Sequence, residues 1–204
     1  DKWAPTLISP DSGVWPTTSA TGRLVYTLAD VDTNVWMLDT TAPGSKPRSL
    51  IASTRLDTTP RFSPDGKHIA FRSNRSGLDE VWIADADGNQ PRRLTTLESQ
   101  AGSPRWSPDG KWLVFDSTDA GSSDIMIAST AGGEPRRFTQ EKTNEVTPCW
   151  SATGDAVYFS SDRSGVWEVW RQPVAQGRAV QVTSSGGFAP LERDGFLWYS
   201  RSRS

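Results

Sequence analysis

The sequence predicts an all-β fold: a β-propeller of four-stranded blades, with about four and a half blades in the chain. Three observations predict it. Sequence markers recur in fixed phase at a step of 44 residues, each repeat holds four short apolar runs, and turn residues separate those runs at matching places.

The first marker is Thr59-Pro60-Arg61-Phe62-Ser63-Pro64-Asp65-Gly66-Lys67, which returns as Ser103 to Lys111 and as Thr147 to Asp155, so that Pro60, Pro104 and Pro148 are each 44 residues apart. The second is Val81-Trp82-Ile83, with Ile125-Met126-Ile127 and Val169-Trp170-Arg171 at the same step. The third is Pro91-Arg92-Arg93-Leu94-Thr95, then Pro135 to Thr139, then more loosely Ala179 to Thr183. One such motif is a weak signal, but three in constant phase define a repeat. The period extends outward: Trp15-Pro16, Thr21 to Tyr26 and Asn34 to Asp39 form an earlier unit, and Phe188 to Leu191 with Asp194 to Tyr199 start a fifth that stops after two strands.

In the second unit the four strands are expected at 59–63, 68–73, 80–85 and 90–95. Pro64-Asp65-Gly66 makes the first hairpin, because Pro presets φ and Gly accepts a positive one. Asn74 to Gly77 and Asp87-Gly88-Asn89 make the next two. Ile69-Ala70-Phe71 and Val81 to Ala84 are apolar runs with no polar alternation, as in strands covered on both faces. Stacked blades cover both faces, whereas an open sandwich leaves one wet. The blades are expected at 15–55, 59–97, 103–141 and 147–184, with a partial one at 188–204 and an N-terminal strand at 4–9. The ring closes at five if that N-terminal strand completes the last sheet, and otherwise the chain is part of a larger ring.

Composition narrows the function. Lys plus Arg is 22 against 24 for Asp plus Glu, a net charge of −2 with the signs interspersed, which argues against a nucleic-acid protein. Ten Trp residues supply large buried areas despite a modest apolar fraction. The single cysteine, Cys149, excludes an intramolecular disulfide. No apolar stretch is long enough to cross a membrane as a helix, and no charged-then-apolar leader opens the sequence, as expected of a mature or trimmed product.

The run from Phe62 to Gly77, repeated from Trp106 to Ser117 and in part from Trp150 to Gly165, resembles the TolB-like propeller repeat nearly residue for residue. The resemblance covers about 15–200 and rests on structural residues, so it speaks for fold more than for function. It implies a bacterial propeller of the kind found in the TolB protein of the Tol–Pal envelope system, with a periplasmic location and a cytoplasmic one as the alternative. It also covers propellers fused to winged-helix regulators, where they sense, or to prolyl-oligopeptidase-type hydrolases, where they gate. Rings of that family usually carry six to eight blades.

Candidate chemistry is sparse. His68 is the one histidine and follows a turn in the second unit, where it reads as a surface or structural residue, and no Gly-x-Ser-x-Gly elbow accompanies it. Cys149 stands in the slot of Arg61 and Arg105 and reads as an inert, partly buried thiol. No His/Cys cluster suits zinc, Asp85 to Gly88 reads as a turn more than a calcium loop, and the repeated Asp-Gly carboxylates read as turn chemistry. The pairs Arg92-Arg93 and Arg136-Arg137 read as charged shielding of an outer strand. No cofactor and no catalytic residue is expected.

The loops carry the functional expectation. Those between second and third strands (74–79, 118–124, 162–167) and those linking blades (53–58, 97–102, 141–146) fall on one face. Arg75, Glu98, Asp119, Glu145, Arg163 and Trp167 are the side chains there best able to meet a partner. Arg61 and Arg105, on the first strand nearest the axis, are expected to line a central channel. All eight would serve equally as a solvated rim. The function expected is binding of a protein or peptide without catalysis, with no direct nucleic-acid contact, no membrane insertion, and homo-oligomer contacts through open blade edges.

Overall fold

The computed structural model describes residues 13–18, 24–28, 33–38, 44, 46–119 and 121–201, and side chains from residue 33 onward except that of Asp119. The N-terminal strand expected at 4–9 lies outside the described residues.

All regular structure described is β. Strands β1 (Gly13–Thr18) and β2 (Leu24–Leu28) pair, as do β3 (Val35–Met37) and β4 (Arg48–Ile51). Three four-stranded antiparallel sheets follow. The first is β5 (Asp57–Phe62), β6 (His68–Ser73), β7 (Glu80–Asp85) and β8 (Arg92–Arg93). The second is β9 (Gln100–Trp106), β10 (Trp112–Asp119), β11 (Ser122–Ser129) and β12 (Arg136–Arg137). The third is β13 (Glu145–Trp150), β14 (Ala156–Ser161), β15 (Glu168–Pro173) and β16 (Val180–Gln181). A final pair, β17 (Phe188–Arg193) and β18 (Phe196–Ser200), begins a further sheet. Strands run in chain order within each sheet. The first strands β5, β9, β13 and β17 pack on one another in succession, so they form the axial edge of a partial propeller.

The apolar runs divide their side chains between two neighbours. Ile69 and Phe71 join Val35 and Ile51 of the preceding sheet. Ala70, Val81, Ile83 and Leu94 join Ala101, Leu113, Phe115 and Met126 of the following one. Val114, Ile125, Ile127 and Phe138 meet Trp150, Val157 and Phe159 one sheet further on. Trp82, Met126 and Trp170 occupy equivalent places, each against the cluster it shares with the sheet before. Trp36 of β3 holds the corresponding sequence place in the unit before and is 63% exposed.

Local chemistry explains the elements. Ser63 Oγ donates to the Asp65 carboxylate (2.6 Å) and accepts from His68 N (2.9 Å), closing the hairpin between β5 and β6. Ser107 and Asp109 repeat it. The fourth unit lacks the Pro-Asp pair, yet its turn is closed the same way: Ser151 Oγ and Thr153 Oγ1 donate to Asp155, at 2.7 and 2.6 Å. Hydrogen bonds to the ionised form hold the Asp65 and Asp109 carboxyls below the usual range and bring that of Asp155 to about 2.

The outer strands are shorter than the sequence suggests. Gln90 has a positive φ of 52°, and only Arg92 and Arg93 enter the ladder. Leu94 N and Thr95 N both reach Val81 O. Thr95 Oγ1 accepts from Val81 N (3.0 Å) and donates to the buried Glu80 carboxylate. A side-chain clasp thus replaces the end of the strand, and it recurs with Thr139 on Asp124 and Thr183 on Glu168. Burial pushes the Glu80 carboxyl up.

Candidate functional site

Arg75 and Arg163 sit at the start of exposed loops, yet both fold inward. Arg75 pairs with buried Asp57 (2.8 Å), and its guanidinium lies 5.3 Å from the Phe71 ring and 5.1 Å from that of Trp82. Arg163 pairs with Glu145 (3.2 Å) and stacks at 5.4 Å on Phe159 and 4.7 Å on Trp170. Glu145 is fully buried, and it also accepts from Thr143 and Ser161 hydroxyls. The sequence placed Arg75, Glu145 and Arg163 on the loop face by their position in the turns. The structure turns them into clamps, because a buried carboxylate and two aromatic faces outweigh solvation of a flexible arginine.

Glu98 stays exposed in the linker between blades. The side chain of Asp119 lies outside the described residues. Arg61 is exposed and Arg105 half-buried, at matching registers of β5 and β9 opposite Ala70 and Val114. Each donates to the carbonyl of its own preceding proline, at 2.8 and 3.1 Å. Burial, then the charge of Arg61, lowers the Arg105 pKa. Cys149, one blade on, is buried, and that burial pushes its thiol up.

Trp167 belongs to a built cavity on the loop face. Its indole meets Phe188 edge-on, centroids 5.3 Å apart at 87°. A cavity of about 820 Å³ is lined by Val166, Trp167, Gly186, Gly187, Phe188 and Arg201, among others. Val166 is 59% exposed, and Trp167 and Phe188 are 37% each. One wall is fixed from behind: Gly187 N donates to Trp167 O (2.9 Å) and Gly186 N to the buried Glu168 carboxylate (3.0 Å). A side chain at 187 would place its Cβ 2.6 Å from Thr183 Oγ1, so glycine is needed for this close approach. The sequence pointed to Trp167 and not to Phe188 or the glycine wall that the cavity places beside it. Phe188 opens the next unit, and only the fold brings it to Trp167.

His68 is half exposed, 4.0 Å from Asp85 and beside Trp106, in a groove between blades on the opposite face. No cluster of three or more potential metal ligands occurs among the described residues.

The chain is similar to solved propellers. TolB from Acinetobacter baumannii matches with 23% identity and a TM-score of 0.66, over 78% of this chain and 40% of that one. A putative TolB from Agrobacterium tumefaciens matches with 25% identity and a TM-score of 0.67, over 89% and 66%. A puromycin-hydrolyzing peptidase of Mycobacterium tuberculosis matches with 19% identity and a TM-score of 0.62, over 85% and 30%. The chain therefore spans 40% and 66% of the two TolB structures. No curated protein sequence matches it. The model of the TolB beta propeller domain matches residues 22–193, and with its repeated sheets, hairpin turns and blade clusters the chain belongs to that family.

Proposed function

We propose that this propeller segment binds a protein or peptide, without catalysis, through the cavity at Trp167 and Phe188. The observation that carries the reading is an exposed aromatic pair in a cavity whose wall is tied to the scaffold. Surface aromatics held rigid lose little entropy on binding and serve as anchors. Grouped exposure of large apolar side chains also marks interaction surfaces. Glu98 stands on the same face as a polar rim residue. Family membership supports a periplasmic address and a partner in the bacterial envelope. The likeness to a peptidase bears on the fold alone. Trp36 of the β3–β4 pair and Trp198 of the β17–β18 pair, each 63% exposed, support contact of those faces with further blades or a second copy.

Selection of a displayed random peptide library on the immobilised chain tests the reading. Enriched peptides should lose about tenfold or more in affinity for Trp167→Ala and Phe188→Ala. They should bind Trp112→Ala, altered on the opposite face, as they bind the parent. Absence of enrichment, or equal binding to Trp167→Ala, overturns it.

A further inference from the structure

We propose that the axial edge of the second and third blades is an anion site, in which Arg61 and Arg105 together hold a carboxylate. It lies toward the turn end of β5 and β9, away from the Trp167 cavity, and stands independently of the reading given for that cavity.

Five described arginines are at least partly sheltered from solvent: Arg72, Arg75, Arg105, Arg163 and Arg171. Four have a carboxylate partner, in the pairs Arg72–Asp79, Arg75–Asp57, Arg163–Glu145 and Arg171–Asp155. Among the described residues Arg105 has none within 4.0 Å. Arg61 stands at the matching register of the neighbouring axial strand β5, which packs on β9, and its positive charge opposes protonation of Arg105. Asp116 and Cys149 act on it only from beyond ion-pair distance. Burial pushes the carboxyl of Asp116 and the thiol of Cys149 up. A sheltered cation beside a like charge, with no counter-ion, is costly. A carboxylate between the two guanidiniums removes that cost, and the planar fork of arginine suits it.

The backbone here is held firmly. Trp106 Nε1 donates to Arg61 O (2.9 Å) and Trp150 Nε1 to Arg105 O (3.1 Å). Thr59, Ser103, Thr147 and Ala189, each ahead of a proline in the first strand of its unit, hold positive φ values of 51°, 49°, 52° and 53° beside an irregularity in strand pairing, so this kink belongs to the repeat and gives the two arginines the same backbone setting. The site is bounded, because the equivalent slots further on hold Cys149 and Leu191.

Calorimetric titration of the whole chain at low ionic strength tests the assignment, with three probes: succinate, a blocked Gly-Glu-Glu-Gly peptide and inorganic phosphate. A carboxylate probe should bind, and about tenfold more weakly to Arg61→Gln and to Arg105→Gln. Arg136→Gln, on an exposed outer strand, and Trp167→Ala should bind as the parent does. Arg105→Gln should melt no lower than the parent, which separates a ligand site from a structural residue. Binding of the peptide alone assigns the carboxylate to an acidic side chain of a partner, and equal binding of succinate assigns it to a small acid. Binding of phosphate alone, no binding of any probe, or unchanged binding by Arg105→Gln overturns the proposal.

Discussion

The indole of Trp106 donates its Nε1 hydrogen to the carbonyl of Arg61, 2.9 Å away across the boundary between two sheets. Trp150 repeats the bond one blade on, to Arg105 at 3.1 Å. Strand ladders bind strands within a sheet, whereas apolar packing and a few scattered hydrogen bonds bind sheet to sheet. These bonds are polar latches in that apolar seam. In the fifth unit the same slot holds Glu192, whose carboxylate accepts instead from Ala152 N at 3.2 Å.

Replacing Trp106 or Trp150 by Phe removes a latch and leaves a carbonyl without its donor. The expected loss is about 1 kcal/mol or less for Trp106, whose exposed bond water can replace, and about 1–3 kcal/mol for the more sheltered Trp150. The larger loss is expected for Trp150, which is 6% exposed and packs in the cluster between the third and fourth blades. Urea unfolding of the two variants checks the order.

The Arg163–Glu145 clamp gives a second expectation. Arg163→Met should cost about 3–5 kcal/mol, because it strands a fully buried carboxylate. The double variant Arg163→Met with Glu145→Gln should recover part of that loss. A double-mutant cycle by chemical denaturation measures the coupling, and additive losses would show that the pair does not act as a unit.

The turn carboxylates set the acid limit. Asp65, Asp109 and Asp155 all titrate below the ordinary range in the folded chain. A depressed folded pKa adds stability above the unfolded value and loses it as pH falls through the folded one. Melting temperature should therefore fall between about pH 4 and about pH 2. Asp155→Asn should flatten that fall, as read from thermal melts across the interval.

Two glycines with positive φ separate strain from space. Gly77 (φ 108°) has open space where a Cβ would go, whereas a Cβ on Gly88 (φ 87°) would lie 2.0 Å from Leu50 O. Gly77→Ala should cost about 1 kcal/mol. Gly88→Ala should cost clearly more, because backbone of the neighbouring blade has to move. Paired thermal melts decide it.

The repeat was legible because packing between identical sheets demands the same residue at the same step: Phe71, Phe115 and Phe159 are all fully buried. Hairpin turns were legible because Pro, Asp and Gly act locally. The outer strands were overextended, since Thr95 looks like a strand residue and its bond to Glu80 lies fifteen residues away in sequence. Arg75 and Arg163 were read as open to solvent for the same reason. Their partners Asp57 and Glu145 are eighteen residues distant, and nothing in the loop sequence names them.

By itself, then, the sequence determined period, strand count per blade and turn positions, all consequences of short-range geometry repeated in phase. Tertiary structure alone decided which charges are neutralised by a carboxylate within the described fold. Four sheltered arginines find acids across a sheet or loop, Arg105 reaches only the carbonyl of Pro104, and Trp167 finds Phe188 from the next unit. Charge pairing and cavity walls depend on distances between chain-remote atoms, and a 44-residue step does not encode them.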